Sequence, residues 1–338
     1  MKRSVIKLKS NVISSATVVG GKEHEGPLSG FFDLYDETDS FGQDTWEKSE
    51  SEMQRRALAL AMKKSSLTAE DIEAVFAGDL LNQCVGSAYG LLEYSIPYFG
   101  LYGACSTSAE SIMLAAILTS GGFAERAAAV TSSHNCAAER QFRTPTEYGG
   151  QRSPTAQWTV TGAGAFIIGE GDGVIISEAL PGIAIDKGIS DASNMGAAMA
   201  PAAMSTLKRY FDESGRSPRD FDMILTGDLG YEGSSILCEL MKTEGLDISK
   251  AHNDCGMIIY NRETQDVHSG GSGCGCAATV LGAYILPKLA CGELSDVLFL
   301  ATGAMMSPAS IQQGLSIPSI AHLLHFESPK KEDKKLWL

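Results

Sequence analysis

The chain lacks most of what would direct it to a membrane or to nucleic acid. No uninterrupted apolar stretch is long enough to span a bilayer. The opening Met1-Lys-Arg-Ser-Val-Ile, with Lys7 and Lys9 close behind, contains no apolar signal core, so the chain is expected to stay on the side where it is made. Positive charge is scarce: 27 Lys and Arg stand against 41 Asp and Glu, a formal net charge of −14. No basic stripe interleaved with aromatics is present to hold a phosphate backbone, which speaks against nucleic-acid binding. An acidic chain that handles an anion needs a local cationic or dipolar pocket, or must take the anion together with a metal. The eight cysteines show no pairing pattern, and Cys274-Gly275-Cys276 lacks both the two-residue spacing and the second pair of a zinc ribbon. Free buried thiols are therefore expected, with no cofactor and no resident metal.

What is present is ample apolar material, 44% of 338 residues, enough for two domains or for two halves of one. Strand and helix patterns alternate along most of the length, which predicts an α/β protein with mainly parallel strands. One unit is stated twice. Thr68-Ala-Glu-Asp71-Ile-Glu-Ala-Val-Phe-Ala-Gly78-Asp79 runs without a gap against Ser217-Pro-Arg-Asp220-Phe-Asp-Met-Ile-Leu-Thr-Gly227-Asp228, each a helix cap, a strand and then Gly-Asp. Further on, Cys105, an apolar helix and the strand near Ala127–Ser133 parallel Cys274-Gly275-Cys276, an apolar helix and the strand near Val297. The expected division is a first half over 1–170, a second over 171–328, and a charged tail over 329–338 that is solvated or disordered. Trp46–Lys64 has helical periodicity, with Met53, Ala57, Leu60 and Ala61 inward.

Candidate site residues follow from this layout. Cys105 lies at the start of a helix opening Ser106-Thr107-Ser108, where the dipole and free N–H groups favour a thiolate. Asp79 and Asp228 end their strands, the place where open α/β sheets put ligands. The stretch from His134 to Gly162 has little periodicity and holds Arg140, Arg143, Tyr148, Arg152 and Trp158, which marks it as functional rather than filler. His134 and Asn135 either line a pocket or cap a strand end.

Ala104-Cys105-Ser106, the strand Gly162-Ala-Gly-Ala and the closing Gly-Ser-Gly-Cys-Gly-Cys-Ala-Ala resemble landmarks of the thiolase superfamily, in its ketoacyl-acyl-carrier-protein synthase III branch. That resemblance runs from about residue 5 to 325 and implies a duplicated fold in αβαβα layers with two mixed sheets. In catalytic relatives the cysteine attacks an acyl thioester, and a histidine with an asparagine or a second histidine activates it. Here the first partner position falls on Asp228 and the second within Gly270–Cys274, where neither histidine nor asparagine occurs. A carboxylate facing Cys105 raises the thiol pKa and repels an oxyanion, so the chemistry reads as dismantled. His268, two residues before the glycines, is either a replacement base or an ordinary turn residue.

Tyr102-Gly-Ala-Cys105-Ser-Thr-Ser, Ser132-Ser-His134-Asn135 and Leu225-Thr-Gly-Asp228-Leu-Gly narrow the resemblance to a sporulation branch of this fold found in spore-forming bacilli. It implies binding of dipicolinic acid, free or as its calcium chelate, during uptake into the spore and release in germination. It also implies membrane-embedded partners from the same spore system and a peripheral place at the spore inner membrane. Such a flat aromatic dianion needs helix N-terminal donors, hydroxyls and arginine, which Cys105, Ser106, Thr107, Ser108, Arg143, Tyr148 and Arg152 can supply. Asp228 suits it only if calcium arrives with the ligand. The competing readings are a condensing enzyme or acyltransferase using Cys105 with His134 or His268, and a scaffold whose pocket is vestigial. The fold family implies a homodimer.

Overall fold

The computed structural model describes residues 5–142 and 152–330. The first part of the chain contributes β1 (Ile6–Gly20), α1 (Gly21–His24), β2 (Leu34–Asp36), α2 (Trp46–Lys64), β3 (Ala74–Gly78), α3 (Val85–Gly90), β4 (Tyr98–Gly100), α4 (Thr107–Ser120), β5 (Arg126–Ser133), α5 (Asn135–Phe142), β6 (Trp158–Thr159) and β7 (Gly162–Gly169). The rest contributes β8 (Val174–Leu180), α6 (Met195–Ser214), β9 (Met223–Thr226), α7 (Gly230–Thr243), β10 (His252–Asp254), α8 (Cys255–Ile258), β11 (Gly271–Ser272), α9 (Cys274–Val280), α10 (Leu286–Cys291), β12 (Asp296–Ala304), α11 (Pro308–Gln312) and β13 (Ser319–Glu327).

The strand order β4-β3-β5-β7-β1 is repeated as β10-β9-β12-β13-β8, with the same parallel and antiparallel pairings at every step. The two five-stranded sheets are joined edge to edge, because β1 pairs antiparallel with β8 as well as with β7. Helix α2 covers the outer face of the first sheet and α6, packed on α7, covers that of the second. Between the sheets lie α4, which touches strands of both, and α9 with the helical turns that follow it. The result is an αβαβα stack, the mixed α/β architecture expected from the resemblance.

Local chemistry accounts for the boundaries. Thr45 caps α2 by accepting from the Lys48 N–H, and Met53, Ala57 and Ala61 are fully buried on its inner face while Leu60 is only partly buried. The two Ser/Thr-x-x-Asp starts form reciprocal capping boxes, with Asp71 and Asp220 each accepting at 2.7 Å from the backbone N–H of the cap residue. The stretch expected to be irregular after His134 begins instead with α5, whose small Ala137 and Ala138 bury against the core as soon as β5 ends. Arg143, Tyr148 and residues 331–338 lie outside the described residues. The segment Cys274–Cys291 is long and apolar enough to cross a membrane, but 72% of it is buried inside the protein as a central layer.

That central layer depends on small residues. A Cβ on Gly164 of β7 would lie 2.7 Å from Ala278 Cβ and 3.0 Å from Ala278 C, and one on Gly162 would lie 2.9 Å from Thr279 Cγ2. From the helix side, a Cβ on Gly275 would collide with the Gly162 carbonyl and with Ser133. We therefore expect Gly164→Ala to cost about 2 kcal/mol through overpacking, read as a lower urea midpoint with unchanged slope. An unshifted midpoint would mean that the two backbones are not in contact.

Candidate functional site

The turn before α4 presents Cys105. Ala104 adopts φ 51°, a left-handed conformation that costs a non-glycine residue about 1–2 kcal/mol. The surrounding bonds hold it there: Thr107 Oγ1 donates to the Ala104 carbonyl at 2.7 Å and accepts from the Gly103 N–H at 2.9 Å, while Ser106 Oγ donates to the Gly103 carbonyl at 2.6 Å. Gly303 of β12 lies directly beneath, where a Cβ would strike the Gly103 carbonyl. Cys105 itself borders a cavity of about 350 Å³ lined mainly by apolar side chains, among them Leu80, Phe142, Met195 and Met306. Tyr102, Glu139, Arg152, Ser153, Ser193 and Ser272 supply its polar surface.

Opposite Cys105 stands the turn Gly271–Gly273, and Asp228 holds that turn. Its Oδ2 accepts from Ser272 Oγ and from the Gly273 N–H, each at 2.9 Å, and its Oδ1 accepts from Thr302 Oγ1 at 2.9 Å. Gln157 Nε2 ties the backbone of the same assembly, donating to the carbonyls of Asp228 at 2.7 Å and Gly271 at 3.0 Å. Asp228 is fully buried, and burial raises its pKa against the lowering effect of these donors and of the Cys105 thiol. The thiol is pushed well above its ordinary value, by burial first and by Asp228 second. Ser272 Oγ, 3.9 Å from Cys105 Sγ, is the polar atom facing the sulfur. This arrangement disfavours the thiolate form of Cys105, and among the described residues no histidine lines the cavity.

The remaining expected residues separate. Arg152 lines the cavity, with its guanidinium 4.8 Å from the Trp158 ring centre and its Nη2 bonded to Asp266 at 2.9 Å. His268 does not reach inward. Its Nδ1 donates to the Ser153 carbonyl at 2.7 Å, its Nε2 meets Asp266 at 3.0 Å, and it borders an outer groove rather than the cavity. His134 is fully buried beneath Trp46, donating from Nε2 to the Asp39 carbonyl at 2.9 Å, and burial lowers its pKa. Asn135 supports the cavity wall from behind, its Nδ2 donating to the Thr159 carbonyl at 3.0 Å. Ser106, Thr107 and Ser108 are spent on or buried within the turn and helix start and do not line the cavity. Asp79 is buried and accepts from Leu81 and Ser87. Asp228, expected to meet the ligand or its calcium, is not on the cavity lining: its oxygens are engaged by Ser272, Gly273 and Thr302, and it holds the turn.

Sequence reasoning missed Glu139, Phe142, Met195, Met306 and Ser272 as lining residues. Ser272 carried a signal in its place among glycines, and Glu139 and Phe142 lay within the stretch His134–Gly162 already marked as functional, but Met195 and Met306 carried none.

Residues 2–327 match the family model described as stage V sporulation protein AD. Stage V sporulation protein AD of Bacillus subtilis (strain 168) is 47% identical over 318 residues, which covers 94% of each chain. Among solved structures, 3-oxoacyl-[acyl-carrier-protein] synthase III from Aquifex aeolicus VF5 superposes with a TM-score of 0.56 at 11% identity, covering 94% of this chain and 99% of the other. OleA of Xanthomonas campestris, in a co-crystal with cerulenin, superposes with a TM-score of 0.59 at 14% identity, covering 95% of this chain and 97% of the other. These structures share the thiolase-like fold with this chain.

Two outcomes follow for Asp228. Asp228→Ala leaves two hydroxyls and one N–H without their buried acceptor and should cost about 3 kcal/mol or more in denaturant unfolding. Asp228→Asn removes the charge beside Cys105, so alkylation of that thiol at pH 8, followed by peptide mass, should be faster than in the wild type. Equal rates would mean that the carboxylate does not hold the thiol protonated.

Proposed function

The chain belongs to the stage V sporulation protein AD family, and on that premise we propose that this sporulation protein is a receptor, which keeps an enzyme's cavity without its acid–base machinery and takes up dipicolinic acid beside Cys105. One observation carries the reading: the titratable group set against the thiol is the carboxylate Asp228, and no described histidine lines the cavity. Acyl transfer needs a thiolate and a positive or hydrogen-bonding cradle for an oxyanion, whereas a buried acid works against both. The left-handed Ala104 ahead of Cys105 is what favours the alternative, a condensing enzyme or acyltransferase, since strained residues of this kind gather at reacting centres.

The cavity's composition suits a flat aromatic dicarboxylate. Apolar walls from Leu80, Phe142, Met195 and Met306 can face a ring, while Arg152 and the hydroxyls of Tyr102, Ser153, Ser193 and Ser272 can meet its carboxylates. Where calcium accompanies the ligand, Glu139 is the carboxylate on the lining that can join its coordination, in place of Asp228. The protein works at the spore inner membrane with membrane-embedded partners of the same spore system, in uptake during sporulation and release in germination. It acts as a homodimer, a reading supported by β4, an edge strand paired only with β3 among the described residues and exposing Tyr98 and Phe99.

Calorimetry of the purified protein with dipicolinate, with and without calcium, tests the reading. Arg152→Gln should weaken binding about tenfold or more, as expected for loss of a charge-assisted bond, and Glu139→Gln should remove only the calcium-dependent increment. Absence of any heat with either form, or a persistent acyl adduct on Cys105 after incubation with acyl thioesters, would sink the receptor in favour of the scaffold or the enzyme.

A further inference from the structure

Away from the cavity, five polar side chains with no solvent exposure form one hydrogen-bonded chain: Glu50, Ser132, Gln54, Ser87 and Asp79. Helix α2 presents Glu50 and Gln54 four residues apart, on one face. Gln54 Nε2 spends its two hydrogens on Ser132 Oγ at 2.7 Å and Ser87 Oγ at 2.9 Å. Each hydroxyl passes its own hydrogen on, Ser132 to Glu50 Oε1 at 2.8 Å and Ser87 to Asp79 Oδ2 at 2.6 Å. Asp79 also accepts from the N–H groups of Ser87 and Leu81 at 2.8 and 2.9 Å.

The hydrogens then run out. Glu50 Oε2 and Gln54 Oε1 are both buried acceptors without a donor. An ionised glutamate in this setting would leave a charged oxygen buried without a donor, a costlier state than the neutral acid. A proton on the Glu50 carboxyl supplies a hydrogen that this side of the network lacks. We propose that Glu50 is a neutral acid in the folded protein at pH 7, so that Asp79 alone carries the charge of this network.

The surroundings agree. Glu50 and Asp79 lie on the two sides of Gly86 in α3, where a Cβ would sit 3.1 Å from Glu50 Cγ and 3.2 Å from Asp79 Oδ2. Among the described residues, the titratable groups that act on this pair or share its field are Cys84, Tyr98, Tyr102, Glu110 and Cys274, none of them a cation. Burial first and Asp79 second push the Glu50 carboxyl well above its ordinary value. The network also reaches the cavity's back wall, since the Ser132 carbonyl receives the Cys274 thiol at 2.9 Å and Cys274 packs in one cluster with Leu80 and Cys105.

A carboxyl raised in the folded state takes up a proton on folding. Its stability contribution is therefore greatest below the unfolded value of about 4.3 and declines as pH climbs toward the folded one. Thermal midpoints of wild type and Glu50→Gln from pH 5 to pH 9 test this, because the amide reproduces the neutral acid. The wild type should fall about 3 °C or more relative to the variant as pH rises, whereas parallel curves would overturn the proposal. Should the variant not fold, carbon-13 NMR of glutamate-labelled protein carrying Glu23→Gln and Glu110→Gln, two further glutamates raised by burial among the described residues, reads the state directly. One side-chain carboxyl resonance should stay at the protonated position at pH 7, and none would overturn it. Neither readout needs a ligand, so both stand apart from the receptor reading.

Discussion

Where β7 meets α9, neither side carries a side chain large enough to hold the backbones apart. Gly162 and Gly164 face Gly275 and Ala278 at distances no larger residue would tolerate. Everything near the sulfur inherits its position from that contact. It fixes the start of α9, which fixes the turn Gly271–Gly273 immediately before it, which places Ser272 over Cys105 and brings the Gly273 N–H to Asp228. The carboxylate then locks the turn to β12 through Thr302. The site is thus a consequence of packing density between layers, with its polar groups added where the backbone has already been set.

Carboxyl groups dominate the interior around that site. Asp228, Asp254, Glu50 and Asp79 are all fully buried, and each is held by hydroxyls or backbone N–H groups rather than by a cation. Burial and its neighbour Asp228 push Asp254 to about 7. Such an interior raises every thiol near it, Cys105, Cys274, Cys255 and Cys276 alike. A fold shared with 3-oxoacyl-[acyl-carrier-protein] synthase III can therefore present a cysteine at a helix start in surroundings that disfavour its thiolate, which is why fold and function have to be argued separately.

The duplication, the capping boxes, the extent of α2 and the place of Cys105 at a helix start were all legible, because each is written in local spacing or in a repeated string. The fates of His134, His268 and Asp228 were not. A histidine two residues from a glycine turn looks able to reach inward, but His268 adopts φ 50° and turns its ring to Ser153 and Asp266. Asp228 ends its strand as expected, yet whether its oxygens face a ligand or a backbone turn depends on Ser272, Gly273 and Thr302, which lie far along the chain. Met195 and Met306 reach the cavity from elements with no motif at all, so only the assembled layers reveal them.

The antiparallel seam between β1 and β8 ties the two stacked sheets together through a backbone ladder that runs, with one irregularity, from Ile6 and Ala179 to Val12 and Val174. The halves cannot swing apart without breaking ladder bonds in that seam. What can shift beside the cavity without breaking that seam is a side chain, and Arg152, which lines the cavity and pairs with Asp266, is one held by an ion pair rather than by a backbone ladder.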